Sequence, residues 1–95
     1  MKYTAVAVGV GTGTEAAPEA AEAAMQSIVS RITDKAKGIL LIVSGAEKYL
    51  DMLELKKAQD AVQSIAGESA QIILCANYDN TLEGDTIRVT LVACE

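Results

Sequence analysis

Ninety-five residues, 51% apolar and 22% charged, make one small globular domain over residues 1–95, which buries roughly 60–65% of its unfolded surface. A net charge of −5, the absence of histidine and a lack of basic clusters beyond Lys35, Lys37 and the pair Lys56-Lys57 exclude a basic stripe. Nucleic-acid binding and docking on anionic membranes are therefore set aside.

With three tyrosines and neither Phe nor Trp, the core must be built from Ala, Val, Ile and Leu. Such side chains suit thin layers in which a helix lies close to a sheet. The longest apolar run, Ile39-Leu40-Leu41-Ile42-Val43, is far too short to span a bilayer. Met1-Lys2-Tyr3-Thr4 lacks the apolar region of a signal peptide, which points to the cytoplasm. In that compartment Cys75 and Cys94, both within strand-like runs, are expected to be buried, reduced thiols.

Residues 3–10 alternate as a strand, with Thr4, Val6, Val8 and Val10 on one face and Tyr3, Ala5, Ala7 and Gly9 on the other. The second set is small apart from Tyr3 and would let a helix approach closely. Gly11, Gly13 and Thr14 end the strand, and Pro18 suits the first turn of a helix running to about Thr33. Ala21, Ala24, Met25, Ile28 and Ile32 form its apolar stripe. Glu15, Glu19 and Glu22 near its start and Arg31 and Lys35 near its end complement the helix dipole.

Gly38 opens the strand Ile39–Val43, whose unbroken apolar run implies a central strand buried on both faces. A second helix begins after Ser44-Gly45-Ala46, with Asp51 as N-cap and Glu54 in the capping-box position. Leu55, Ala58, Val62 and Ile65 form its stripe, and Gly67 is a left-handed stop. The strands Gln71–Tyr78 and Thr86–Cys94 follow, joined by the polar stretch Asp79–Asp85. This short connection implies an antiparallel hairpin. Ile87, Val89, Leu91 and Ala93 alternate with Arg88, Thr90, Val92 and Cys94. The order βαβαββ defines an α+β fold, a two-layer α/β sandwich with a four-stranded mixed sheet, and right-handed crossovers place both helices on one face.

Gly38-Ile-Leu-Leu-Ile-Val-Ser-Gly45, then Leu53-Glu54-Leu55 with Ala58, Ala61 and Val62, then Gln71-Ile-Ile-Leu-Cys-Ala-Asn-Tyr-Asp79 with Leu82, Gly84-Asp85 and Ile87-Arg88-Val89-Thr90-Leu91-Val92-Ala93, together resemble the C-terminal domain of the FtsZ (tubulin/FtsZ) family. Gly9-Val10-Gly11 and the Glu/Ala-rich helix match more loosely. The resemblance covers nearly the whole chain and implies a chorismate-mutase-like topology. Three features depart from the family pattern. Ala46 replaces a second glycine and the proline that usually follows is missing, the turn after Ser44 and the hairpin near Glu83 are each one residue longer, and the first helix lacks an arginine near its start. The family's Gly-rich GTP-binding domain and its catalytic acidic loop have no counterpart here. The resemblance therefore implies no GTPase activity for this domain alone, no catalytic residue and no cofactor.

Among candidate sites, Gly9-Val10-Gly11-Thr12-Gly13 has neither dinucleotide nor P-loop spacing, and a tight turn is the preferred reading. Asp79, Glu83 and Asp85 lack the register of a calcium loop, so turn chemistry is preferred to a metal site. Arg88 is either an anion contact on the open sheet face or a structural residue, in a cross-strand pair or as a solvated edge charge, and the structural reading is favoured. No Ser or Cys has a His to activate it. Tyr49, Leu50 and Met52 precede the second helix, as a partner surface or as a hydrophobic staple.

The face bearing Val6, Val8 and Val10, together with Arg88, Thr90 and Val92, is expected to lie opposite the helices and to want a cover. This predicts a non-enzymatic assembly domain, a homo-oligomer through its open sheet face or a partner of an FtsZ-like protein. The alternative is a small-molecule-binding homo-oligomer with ligand held between subunits.

Overall fold

The computed structural model describes residues 3–29, 38–67, 71–82 and 84–94. The expectations for Arg31, Ile32, Thr33, Lys35, Lys37 and Glu83 lie outside these residues, as do the side chains of Tyr3, Thr4, Ala5 and Cys94. The elements in chain order are β1 (Tyr3–Gly11), α1 (Ala16–Val29), β2 (Gly38–Gly45), α2 (Met52–Ala66), β3 (Gln71–Tyr78) and β4 (Ile87–Cys94). They form one sheet in the order β1-β4-β2-β3, with β4 antiparallel to both of its neighbours and β2 parallel to β3.

That order corrects the hairpin expected from the short connection. The last two strands do not pair; β4 inserts between β1 and β2, and β3 is left at the edge. The chain over residues 79–86 passes the end of β2, a step of roughly 10 Å for two strand spacings. Strand direction follows from a short loop, but pairing does not. The slot between β1 and β2 is flanked by two strands, so β4 gains a ladder on each side there.

Both helices pack on one face of the sheet. Ala17, Ala20, Ala21, Ala24, Met25 and Ile28 of α1 and Leu55, Ala58 and Val62 of α2 are buried against Ile39, Leu41, Val43, Ile87, Val89, Leu91 and Ala93. The closest approach is that of α1 to β1. A Cβ at Gly9 would collide with the Ala20 carbonyl oxygen and lie 2.6 Å from the Ala24 nitrogen, and one at Gly11 would collide with the Ala16 carbonyl oxygen. Backbone therefore rests on backbone, which requires glycine in the strand and alanine in the helix.

In α2, Asp51 caps the helix, its Oδ1 accepting the Glu54 N–H at 2.9 Å. The Glu54 carboxylate lies 3.5 Å from Lys57 Nζ. Leu50, just before the cap, is buried with Leu55, the arrangement of a staple. Gly67 ends the helix at φ 96°, ψ 162°, a glycine conformation other than the left-handed helical one expected. Ile65, assigned to the apolar stripe, is instead 40% exposed.

The second face of β2 also departs from expectation. Ile39, Leu41 and Val43 are buried under the helices, whereas Leu40 and Ile42 on the other face are only half-buried. Their neighbours shade them sideways, and no layer of the described residues lies above them. Cys75, expected to be buried, is a free and exposed thiol because β3 is an edge strand.

Two glycines test the backbone contact. Gly9→Ala is expected to cost about 2–3 kcal/mol in urea unfolding through overpacking. Gly38→Ala, whose added methyl would meet its nearest atom at an ordinary 3.8 Å, should stay within about 0.5 kcal/mol of the parent. Equal effects would contradict the packing described.

Candidate functional site

Registration across the four strands turns the uncovered face into a grid. One row reads Val6, Val92, Leu40, Ile73; the next, Val8, Thr90, Ile42, Cys75; the third, Val10, Arg88, Ser44, Asn77. Two rows are almost wholly apolar and the third is mostly polar. Val6, Val8 and Val10 are 53%, 54% and 52% exposed, and Ile73 is 61% exposed. At about 4.8 Å between strands and 3.3 Å per residue, the grid covers roughly 350 Å², of which the two apolar rows are about 250 Å², close to the largest apolar patch of a typical monomer. The structure thus gathers Val6, Val8, Val10, Arg88, Thr90 and Val92 on one surface. It adds Leu40 and Ile42, which the expectation of a β2 buried on both faces had hidden, and Ile73 on the edge strand.

The polar row is internally satisfied. Asn77 Nδ2 donates to Ser44 Oγ at 3.2 Å, and Ser44 is buried despite facing away from the helices. Arg88 Nη2 lies 3.3 Å from Asp79 Oδ2, an ion pair between the start of β4 and the turn after β3. The other oxygen of Asp79 accepts from the Thr81 N–H at 3.0 Å and from the Thr81 hydroxyl. Thr81 first and Arg88 second hold the Asp79 carboxyl below the usual aspartate range. Asp79 therefore works as an Asx turn and an arginine partner. No cluster of three metal-ligating side chains occurs among the described residues.

The loops beyond the carboxyl ends of β1, β2 and β3 meet at one end of the sheet. The Asp79 N–H donates to the Gly45 carbonyl at 2.8 Å and the Glu47 N–H to Asn80 Oδ1 at 3.1 Å. A cleft of about 300 Å³ here is lined by Gly13, Thr14, Tyr49, Glu54, Asp85 and Ile87. Two carboxylates at its walls suit no phosphate, and Gly13, at φ 88°, takes the turn conformation glycine permits. Tyr49 is 47% and Met52 78% exposed; they flank buried Leu50 and lie off the open face, so the structure does not join them to the valine grid.

The fold matches one class of protein. The model of the FtsZ family C-terminal domain matches residues 3–95, and the chain belongs to that family. It is 32% identical over 96 residues to the cell division protein FtsZ of Buchnera aphidicola subsp. Schizaphis graminum, an alignment covering 98% of this chain and 24% of that protein. A tryptophan-to-tyrosine mutant of FtsZ from M. jannaschii superposes with a TM-score of 0.79 at 31% identity, covering 95% of this chain and 27% of that one. An empty FtsZ dimer from the same organism gives 0.73 at 32%, covering 95% and 26%. The chain spans about a quarter of the length of these relatives, and the matched part is the C-terminal domain, which lacks the GTP-binding domain. No helix among the described residues is long and apolar enough to cross a membrane.

Asp79 sets a pH dependence. Its folded pKa is depressed, so its contribution is complete above the unfolded value near 4 and is lost as pH falls through the folded value. Asp79→Asn is expected to flatten the acid limb of a thermal-melt series between about pH 5 and 2 relative to the parent. An unchanged limb would show that Asp79 is not held by Thr81 and Arg88.

Proposed function

We propose that this domain is a non-enzymatic assembly module that works in the cytoplasm and docks the Val6–Val92–Leu40–Ile73 and Val8–Thr90–Ile42–Cys75 rows of its open face on an FtsZ-type protein. The carrying observation is the half-exposure of three consecutive outward valines beside half-buried Leu40 and Ile42. Covering the two apolar rows, about 250 Å² at the same spacings, is worth roughly 6 kcal/mol gross. Association of free molecules costs about 4–15 kcal/mol, so the patch alone holds a free partner weakly. It holds an FtsZ-type surface well when the domain itself is multivalent or when both parts share a chain.

The ligand-binding alternative finds less support. Arg88, its anion contact, already has a carboxylate neighbour at 3.3 Å, and an incoming anion would have to compete with Asp79. The face instead has the composition of an interface core, apolar at its centre with a hydrogen-bonded polar margin.

The test is co-sedimentation with polymerised FtsZ. Val8 is 54% exposed, so Val8→Glu should leave stability within about 0.5 kcal/mol and circular dichroism unchanged. The parent chain is expected to pellet with polymer and Val8→Glu to lose at least about tenfold in affinity, since about 1.4 kcal/mol of lost burial suffices for that. Equal pelleting by both chains, or none by the parent, would overturn the reading.

A further inference from the structure

The edge of the sheet carries a second surface, independent of the open face. The strand β3 ends the sheet order, and its eight-residue register with β2 runs without a bulge from Gln71 to Tyr78. The Asp79 N–H points to β2, donating to the Gly45 carbonyl. By strand alternation, the backbone groups of Ile72, Leu74, Ala76 and Tyr78 point outward. Residues 71–78 contain neither charge nor proline, the usual means of blunting an edge. The other edge strand differs. In β1 the register shifts between Tyr3 and Ala5, and α1 lies directly over Gly9 and Gly11.

We propose that β3 pairs antiparallel with β3 of a second copy about a two-fold axis at Cys75, joining two sheets into one of eight strands. An extended backbone matches a row of outward N–H and C=O groups in both repeat and direction. The chain's own edge fits this role in one register. Leu74 then faces the partner's Ala76, and Ile72 faces the partner's Tyr78, so large side chains meet small ones and an aromatic meets a β-branched residue.

Beside this seam an open groove of about 600 Å³ between α2 and β3 is lined by Met52, Leu53, Lys56, Asp60 and Leu74 among others. Met52 and Leu53 are 78% and 60% exposed. Lys56 and Asp60 stand one turn apart on α2, so an antiparallel α2 sets Lys56 toward the partner's Asp60 and Asp60 toward the partner's Lys56. Seven paired residues give a seam roughly 23 Å long. With a two-layer thickness near 20 Å, it buries about 900 Å² in total, below the roughly 1,200 Å² of standard stable interfaces and in the range of weak, transient ones. Area alone does not set affinity; a Kd of about 10 µM or tighter is expected.

Cys75 supplies the readout. On the axis it forms the non-hydrogen-bonded pair, with Cα atoms about 4.5 Å apart, within disulfide reach. In a Cys94→Ala chain, diamide accepts the two electrons and two protons released as the Sγ–Sγ bond forms. The expected product is a covalent dimer, with most of the chain cross-linked at about 100 µM, well above that Kd. Sedimentation without oxidant should give twice the single-chain mass.

Ala76→Pro removes an outward N–H and leaves every bond to β2, so it should fold and sediment as a single chain. Ala76→Lys, which keeps the N–H but brings an ammonium against the partner's Leu74, should do the same. Val8→Glu should remain dimeric. A parent chain monomeric at about 100 µM, or a dimer kept by both Ala76 variants and broken by Val8→Glu, would overturn the proposal.

Discussion

Two crossovers of the same hand place α1 and α2 on one side of a single sheet, and the described residues supply no third layer. The consequence is fixed by area. One face of β1, β4 and β2 buries Ala7, Val89, Leu91, Leu41 and Val43, and the other leaves Val6, Val8 and Val10 half in water. A sheet this small gains its stability from the helix side alone. That is why the packing of α1 is so tight, with Gly9 and Gly11 under the backbone of the helix. An alanine helix contributes little area per residue, and close approach compensates by bringing many atoms into van der Waals range.

The open face and the edge have different chemistry. The face presents methyl groups and recognises shape and dryness. The edge presents backbone donors and acceptors and recognises an extended chain. They are perpendicular to each other, so a partner on one does not exclude a partner on the other. A module of an assembling protein gains from that geometry, because contact along one axis leaves the other free to propagate. The polar row, with Ser44, Asn77, Arg88 and Asp79 satisfied among themselves, marks where the apolar patch stops.

Much of this was legible in the sequence. The alternation of Val6, Val8 and Val10 with Ala7 and Gly9 fixed which face of β1 meets the helix, since only the small set admits a backbone. The capping pattern at Asp51 fixed the start of α2, and the stripe of Ala21, Ala24, Met25 and Ile28 its counterpart in α1. The position of β4 was not legible. A strand's composition records how buried it is but not who its neighbours are, and Ile87–Cys94 would have alternated equally well beside β3. Everything that depended on that pairing was missed with it, including the edge exposure of Cys75. Leu40 and Ile42 were hidden instead by the expectation of a β2 buried on both faces. The Asp79–Arg88 pair links residues nine apart in sequence; it joins β4 to the turn after β3, a partner that neither the cross-strand pair nor the solvated charge expected for Arg88 described.

The central claim is that the valine grid is a surface awaiting a cover. The most direct measurement is methyl NMR of the chain with a soluble paramagnetic agent, before and after addition of an FtsZ-type partner. The account predicts strong broadening of the Val6, Val8, Leu40 and Ile42 methyls in the isolated chain and their recovery in the complex, with Leu41 and Val43 unaffected throughout. Broadening of those four methyls that persists undiminished in the complex, while other surfaces become protected, would contradict it.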